Sequence, residues 1–258
     1  MANIYAANFG DVVKHCVLAE ALTRERPTRY LESHAGRFDY ALSDLDPGPG
    51  GVWDFVEASA GQADLGSSTY ARAILDLVGQ PGRPGRYPGS IALADALLPP
   101  GVEIVAYELV SSSAANLVDR LTRHNRPARV IVADGLSGVC EAARPGDLVL
   151  LDPFHVQARG ERFTAVEAFE ELASRGVGTM LWYAVYEPDE PAAWTADAAR
   201  GLEDVWHARL VGDSTAGGLA GCGFLTAHLS PVTVSAAAAA ATLLTGALSA
   251  VRPGLRLE

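Results

Sequence analysis

Apolar residues gather in short runs, each closed by a polar or acidic residue and followed by a stretch with helical spacing. The runs occupy 28–33, 103–108, 129–133, 147–152, 177–185, 205–211 and 223–229, and the spacing predicts helices over 109–123, 135–143 and 165–174. Alternation of this kind predicts βαβ units and a Rossmann-like α/β sheet, mostly parallel, with helices on both faces. The later runs are closely linked through the Gly-rich connection 217–223, which suits an antiparallel hairpin closing the sheet edge. Residues 45–90 interrupt the pattern. They hold two Pro/Gly clusters, at 47–51 and 81–85, around a helix predicted over 69–78. Such punctuation predicts a small helical insertion, either a cover over the site or a decorated loop.

The Ala-rich stretch 235–250 reads as a packed terminal helix, too short and too weakly hydrophobic to span a bilayer. A chain of 258 residues suffices for one large α/β domain, 1–258, carrying 45–90 as its insertion. Twenty basic against 31 acidic residues give a net charge of −11. Nucleic-acid affinity comes largely from Lys and Arg on phosphates, so the balance favours a small-molecule partner over RNA. Cys16, Cys140 and Cys222 form no C-x-x-C pair, and residues 1–11 lack a basic-then-apolar leader. Neither disulfides nor a zinc site is expected, and the cytoplasm is the expected compartment.

Ligands of open α/β sheets bind outside the carboxyl ends of the strands. Ser33, Glu108, Asp134 and Asp152 end four of the runs and are expected to line one crevice. Glu108 suits the two hydroxyls of a ribose, or caps the next helix; Asp134-Gly135 suits an adenine amino group, or is a turn. The basic run 120–129 is the one dense cluster of its kind; it either touches RNA or is a solvated connection at the amino-end side of the sheet, away from the crevice. Of Trp182 and Tyr183, at least one is expected to face a packed layer.

Asp152-Pro153-Phe154-His155 resembles the Asp-Pro-Pro-Tyr signature of amino-group methyltransferases, with the last two positions rewritten. Further segments follow in order. Asn8 to His15 resembles G-N-x-A-D-V-L-K-H; Ser33-His34-Ala35-Gly36 resembles T-H-A-G; Tyr87-Pro88-Gly89-Ser90 resembles Y-P-G-S. Glu108-Leu109, Asp134-Gly135 and Leu181-Trp182-Tyr183 resemble E-L, D-G and L-W-Y. Across 7–230 the chain is thus similar to the bacterial large-subunit ribosomal RNA adenine-N6 methyltransferases of the RlmJ type.

That resemblance implies a class I methyltransferase fold and an S-adenosylmethionine (SAM) site. By it, Lys14, His15, His34, Gly36 and Ser90 surround the methionine end, Glu108 takes the ribose, and Asp134 with Gly135 takes the adenine. Asp152, Phe154 and His155 form the reacting side, with Tyr5 standing in partly for the family's N-terminal Tyr/His tail. Read by itself, His15 is a buried helix histidine satisfied by a neighbouring carbonyl. The departures are Arg37-Phe38 in the glycine-rich loop and Phe154-His155 in the substrate motif. A base methyltransferase must flip and stack its base, so these changes point to small-molecule chemistry. Two forms follow: methyl transfer to a small acceptor, or cyclisation of SAM itself. The second would give azetidine-2-carboxylate or 1-aminocyclopropane-1-carboxylate and release methylthioadenosine, in a pocket narrowed by Arg37, Phe38 and Phe154. Ribosomal RNA methylation and non-catalytic SAM binding are the alternatives. No metal is implied.

Overall fold

The computed structural model describes residues 6–78, 85–156, 159–188, 193–202, 204–213 and 219–258. Tyr5, residues 81–84 of the 81–85 cluster and residues 217 and 218 of the Gly-rich connection lie outside them.

The chain opens with α1 (Phe9–Arg24), capped by the Asn8 side chain, which accepts the Asp11 N–H at 3.0 Å. There follow β1 (Arg29–Glu32), β2 (Asp39–Ala41), α2 (Val52–Gly61), α3 (Ala63–Gly66), α4 (Thr69–Val78) and β3 (Arg86–Pro88). Next come α5 (Ser90–Leu97), β4 (Glu103–Tyr107), α6 (Ser111–Arg123), β5 (Ala128–Ile131), α7 (Gly135–Ala142) and β6 (Leu148–Leu151). The last third holds α8 (Ala165–Ser174), β7 (Gly178–Val185), α9 (Ala193–Ala198), β8 (Val205–Val211), β9 (Gly221–Ala227), α10 (Pro231–Leu248) and β10 (Arg256–Leu257).

Eight strands form one sheet in the order β10-β8-β9-β7-β6-β1-β4-β5. β1 pairs in parallel with both β4 and β6, so the winding reverses at its carboxyl end and opens a crevice there. β9 runs antiparallel between β7 and β8, and β10 lies outside β8 at the edge. This is the expected Rossmann-like sheet with its antiparallel hairpin. β6 is apolar and buried throughout, as a strand covered on both faces must be. Tyr30, Ile104, Leu148 and Leu150 face the core under α1 and the helical insertion, while Leu31, Val105, Val149 and Leu151 face the core under α7 and α8.

Rather than standing apart as a cover, the insertion shares the first of these cores, with Phe55 and Ile74 fully buried in it. A two-stranded sheet of β2 and β3 joins it to the main body. α10 is longer than expected: by length and composition its 18 residues, mean hydropathy 1.5, would reach across a membrane. Thr233, Ala237, Ala241, Leu244 and Leu248 make a buried stripe at helical spacing, and the small residues in it let the helix lie close against α1.

Beyond α10, Arg252 is 4% exposed and makes no ion pair among the described residues. It donates to the carbonyls of Leu219 (2.6 Å), Ala220 (3.1 Å) and Pro49 (3.3 Å), and its guanidinium lies 4.1 Å from the Phe9 ring centroid. One side chain thus fastens the 47–51 turn, the β8–β9 connection and the start of α1. Arg252→Ala is expected to lower stability by about 2–3 kcal/mol, because three carbonyls lose a charged donor. A urea titration reads this directly. Arg252→Lys should recover only part of the loss, since an ammonium lacks the planar fork.

Candidate functional site

The crevice is assembled from backbone ties between strand ends. Gly36, at φ +63°, donates its N–H to Glu108 Oε2 at 2.7 Å, and Val110 N–H reaches Glu108 Oε1 at 2.7 Å. A Cβ on Gly36 would sit 2.6 Å from the Tyr40 hydroxyl, so both conformation and space call for glycine. Asp134 caps α7: its Oδ2 accepts the N–H of Ser137 (3.0 Å) and of Glu161 (3.2 Å). Burial works against its ionisation, but these bonds prevail and hold the carboxyl below the ordinary range. Gly135 lets α7 press on β1, since a Cβ there would fall 1.7 Å from the Ser33 carbonyl oxygen. Asp134 thus caps α7 while standing at the crevice, whereas Glu108 holds the N–H of Gly36 and of Val110 without being the cap of α6.

Beneath them lies a charge cluster that sequence spacing could not show. Lys14, 7% exposed, places Nζ 2.8 Å from Asp11 Oδ1 and 2.7 Å from Asp152 Oδ2, with the Trp182 ring centroid at 5.4 Å. The resemblance put Lys14 toward the methionine end as a charge for a ligand carboxylate. Instead, two protein carboxylates neutralise it, as a buried ammonium requires. Burial opposes its charge, yet the two acids raise its pKa. Burial likewise opposes ionisation of Asp11, but Lys14 outweighs it and the pKa is lowered.

Glu32 was not anticipated. It ends β1 with no exposure, accepting from Tyr30 Oη (2.7 Å) at Oε2 and from the Ser90 hydroxyl at Oε1. Burial and the charge of Asp152 push its pKa up to about 8. Its one signal in the sequence is an acid inside the apolar run Tyr30-Leu31-Glu32. Ser90 thus reaches the site through Glu32. His34 Nδ1 lies 2.7 Å from Ser33 Oγ, which accepts the Asp152 N–H at 3.4 Å. Burial lowers the His34 pKa, so the ring is neutral at pH 7.

His15 packs elsewhere. Its Nδ1 bonds the Tyr87 hydroxyl at 2.8 Å, and Tyr87 in turn meets Tyr70 at 3.1 Å. Burial and Lys14 depress its pKa to about 3. It is the satisfied helix histidine of the simpler reading, with a phenol in place of the carbonyl.

The rewritten motif faces outward. Phe154 is 78% exposed, and the His155 ring stands parallel to Tyr186 at 6.2 Å. Phe38, expected to narrow the pocket, is instead buried edge-on against His124 at 5.2 Å. Trp182 and Tyr183 are both buried, and Tyr183 Oη lies 2.6 Å from His207 Nε2. The basic run is exposed over most of its length, as expected, and its arginines are paired with acids of the same chain. Arg126 pairs with Asp95 (2.7 Å), Arg129 with Glu103 (2.9 Å) and Arg123 with Asp119 (2.8 Å), while Arg120 crosses to Asp39 of β2.

Among the described residues no group of His, Cys, Asp and Glu is disposed to hold a metal ion. Burial raises the thiols of all three cysteines, to about 12 for Cys140 and Cys222, so none offers a thiolate at neutral pH. What remains is a crevice rich in carboxylates, suited to hydroxyls, amino groups and positive charge.

No family model and no curated protein matches the chain. Among solved structures, a Legionella pneumophila protein bearing the family label DUF519 superposes with a TM-score of 0.78 at 22% identity. The match covers 98% of this chain and 97% of that one, so the helical insertion is included in the shared fold. An rRNA methylase of Streptococcus thermophilus gives a TM-score of 0.44 at 10% identity, over 84% of this chain and 95% of its own. An O-methyltransferase of Streptomyces achromogenes involved in tomaymycin synthesis, in complex with SAM, gives 0.42 at 14%, over 83% and 79%. These last two are too distant to bear on this chain.

Proposed function

We propose that the chain binds S-adenosylmethionine in the crevice at the carboxyl ends of β1, β4, β5 and β6 and transfers its methyl group to an amine of a small molecule. The observation that carries this reading is the Glu108 carboxylate, fixed by the N–H of Gly36 and of Val110 beside the point where the winding reverses. In sheets wound this way an acid so placed receives a ribose diol. The donor set fits the rest of the group: Asp11, Glu32 and Asp152 outnumber the single ammonium of Lys14. That imbalance suits a ligand carrying positive charge.

The bound cofactor supplies a methyl group activated by a positively charged sulfur. The protein supplies position, which can provide most of the catalysis in such a transfer. Asp152, held by Lys14 at 2.7 Å, orients the amine of the acceptor so that its lone pair faces the methyl. Phe154 and His155, at the exposed rim, meet the acceptor's body. Cyclisation of SAM draws less support, because Phe38 is packed in the core and Phe154 is turned to solvent. RNA draws less support because the net charge is −11 and the arginines of the basic run are paired with acids of the same chain.

Mass spectrometry of the purified protein incubated with SAM tests the reading. Tight binding with SAM intact, then methylation on adding a pool of small amines, is the expected result. Methylthioadenosine formed from SAM alone would replace methyl transfer with cyclisation, and methylation of only unmodified ribosomal RNA would replace the small acceptor. Phe154→Ala should leave the melting temperature unchanged and the SAM affinity within about twofold, since exposed substitutions change stability by less than about 0.5 kcal/mol. Its KM for the acceptor should rise at least several-fold.

A further inference from the structure

Three buried or half-buried carboxyls share one ammonium in the crevice floor. Lys14 contacts Asp11 and Asp152 directly, and Glu32 makes no ion pair among the described residues. The groups acting on Glu32 are Tyr30 on its own strand, Lys14 from α1, Ser90 from α5 and Asp152 after β6. The partners that touch it are hydroxyls, and the charge that acts on it most strongly, that of Asp152, has its own sign. A fully buried carboxylate in that position is costly, so the cluster is cheapest with one proton held on Glu32.

From this arrangement we infer that Glu32 reads the charge on the cofactor's sulfur, holding a proton in the ligand-free protein and giving it to solvent when a sulfonium is bound. The inference rests on the SAM reading above. SAM and its product, S-adenosylhomocysteine, share an adenosine and an amino-acid arm and differ by one methyl and one positive charge. A positive charge in the crevice stabilises the ionised carboxyl; the neutral thioether does not. By reciprocity, ionising Glu32 strengthens SAM binding and leaves the product's affinity nearly unchanged. Glu32 thereby favours cofactor over product.

The proton count balances. Binding SAM sends one proton from Glu32 to water. Transfer then forms an N–C bond and breaks the S–C bond, the acceptor amine loses one proton, and the sulfur becomes neutral. With the charge gone, Glu32 takes one proton back.

Since Glu32 titrates near pH 8 in the native protein and near 4.5 when unfolded, the native state holds the extra proton between these values. Stability from this group therefore falls as pH rises through that window.

Isothermal calorimetry at pH 7, in two buffers of different ionisation enthalpy, tests the inference. Binding of SAM should release between about half a proton and one, and S-adenosylhomocysteine close to none. The affinity ratio of SAM to product should rise by about sevenfold to fiftyfold between pH 6 and 8, the integral of that proton release over pH. Glu32→Gln, which keeps two polar atoms for Tyr30 and Ser90, should abolish the release and flatten the ratio. As a second readout, thermal unfolding of Glu32→Gln should lose the fall in stability between pH 5 and 8. Binding of SAM without proton release, or release that persists in Glu32→Gln, overturns this inference and leaves the SAM reading standing. Failure of both nucleosides to bind overturns the SAM reading, and this inference falls with it.

Discussion

Lys14→Met is expected to destabilise the protein by about 3–5 kcal/mol and to end cofactor binding. Among the described residues the ammonium is the one cation touching Asp11 and Asp152, and all three side chains are largely shielded from water. Removing one partner of a buried pair leaves uncompensated charge, a costly kind of single substitution. The loss should shrink as pH falls. Asp11, held ionised below the ordinary range in the native protein, becomes protonated in the variant, so the repulsion between acids disappears in acid. Urea midpoints at pH 7 and pH 4.5 read both parts. Adding Asp11→Asn to Lys14→Met should recover part of the stability, because one of the stranded charges is gone. A Lys14→Met protein as stable as the parent at pH 7 would mean that the cluster is not the buried network described.

Gly135→Ala is the second large effect, expected to cost about 3 kcal/mol, at the upper end of overpacking penalties. The added methyl would meet the Ser33 carbonyl oxygen at 1.7 Å and the Ser33 carbonyl carbon at 2.5 Å. Both are backbone atoms, at the end of a strand bonded on each side to β4 and β6. β1 cannot yield without loosening its ladders, so α7 must withdraw. That movement carries Asp134 away from Ser33, and cofactor affinity should fall with stability. Gly246→Ala in the exposed part of α10 is the matched control, because a Cβ there meets nothing within 4 Å. It should stabilise the helix by about 0.5–1 kcal/mol. Melting curves of the two variants separate crowding at the site from the general effect of a methyl group.

The strands were legible because a doubly covered parallel sheet writes its strands as apolar runs, and the seven runs all became strands. Helices with one buried stripe were legible too: the expected 69–78 and 165–174 are α4 and α8 to the residue. α1 escaped the periodicity because it is buried almost all round, so no polar face marks its turn. β2 and β3, three residues each, are too short to show alternation. In the site, acids at strand ends stood out because parallel strands deliver their carboxyl ends to one crevice. The tie between Lys14 and Asp152 spans 138 residues and has no local signature. Glu32 was hidden by its place within a strand run, where an acid reads as an interruption.

The packing of α10 on α1 sets the order in which a newly made chain can become complete. α1, carrying Asp11 and Lys14, leaves the ribosome well before α10, which closes one face of it. Until α10 has been made that face stays open to water, while α4, α5 and the sheet already pack on the other sides of α1. The sheet can pair strand by strand during synthesis, since domains build from the amino end as the chain appears. A chain interrupted before α10 would carry every member of the charged floor yet leave one face of the helix that bears Asp11 and Lys14 open to water.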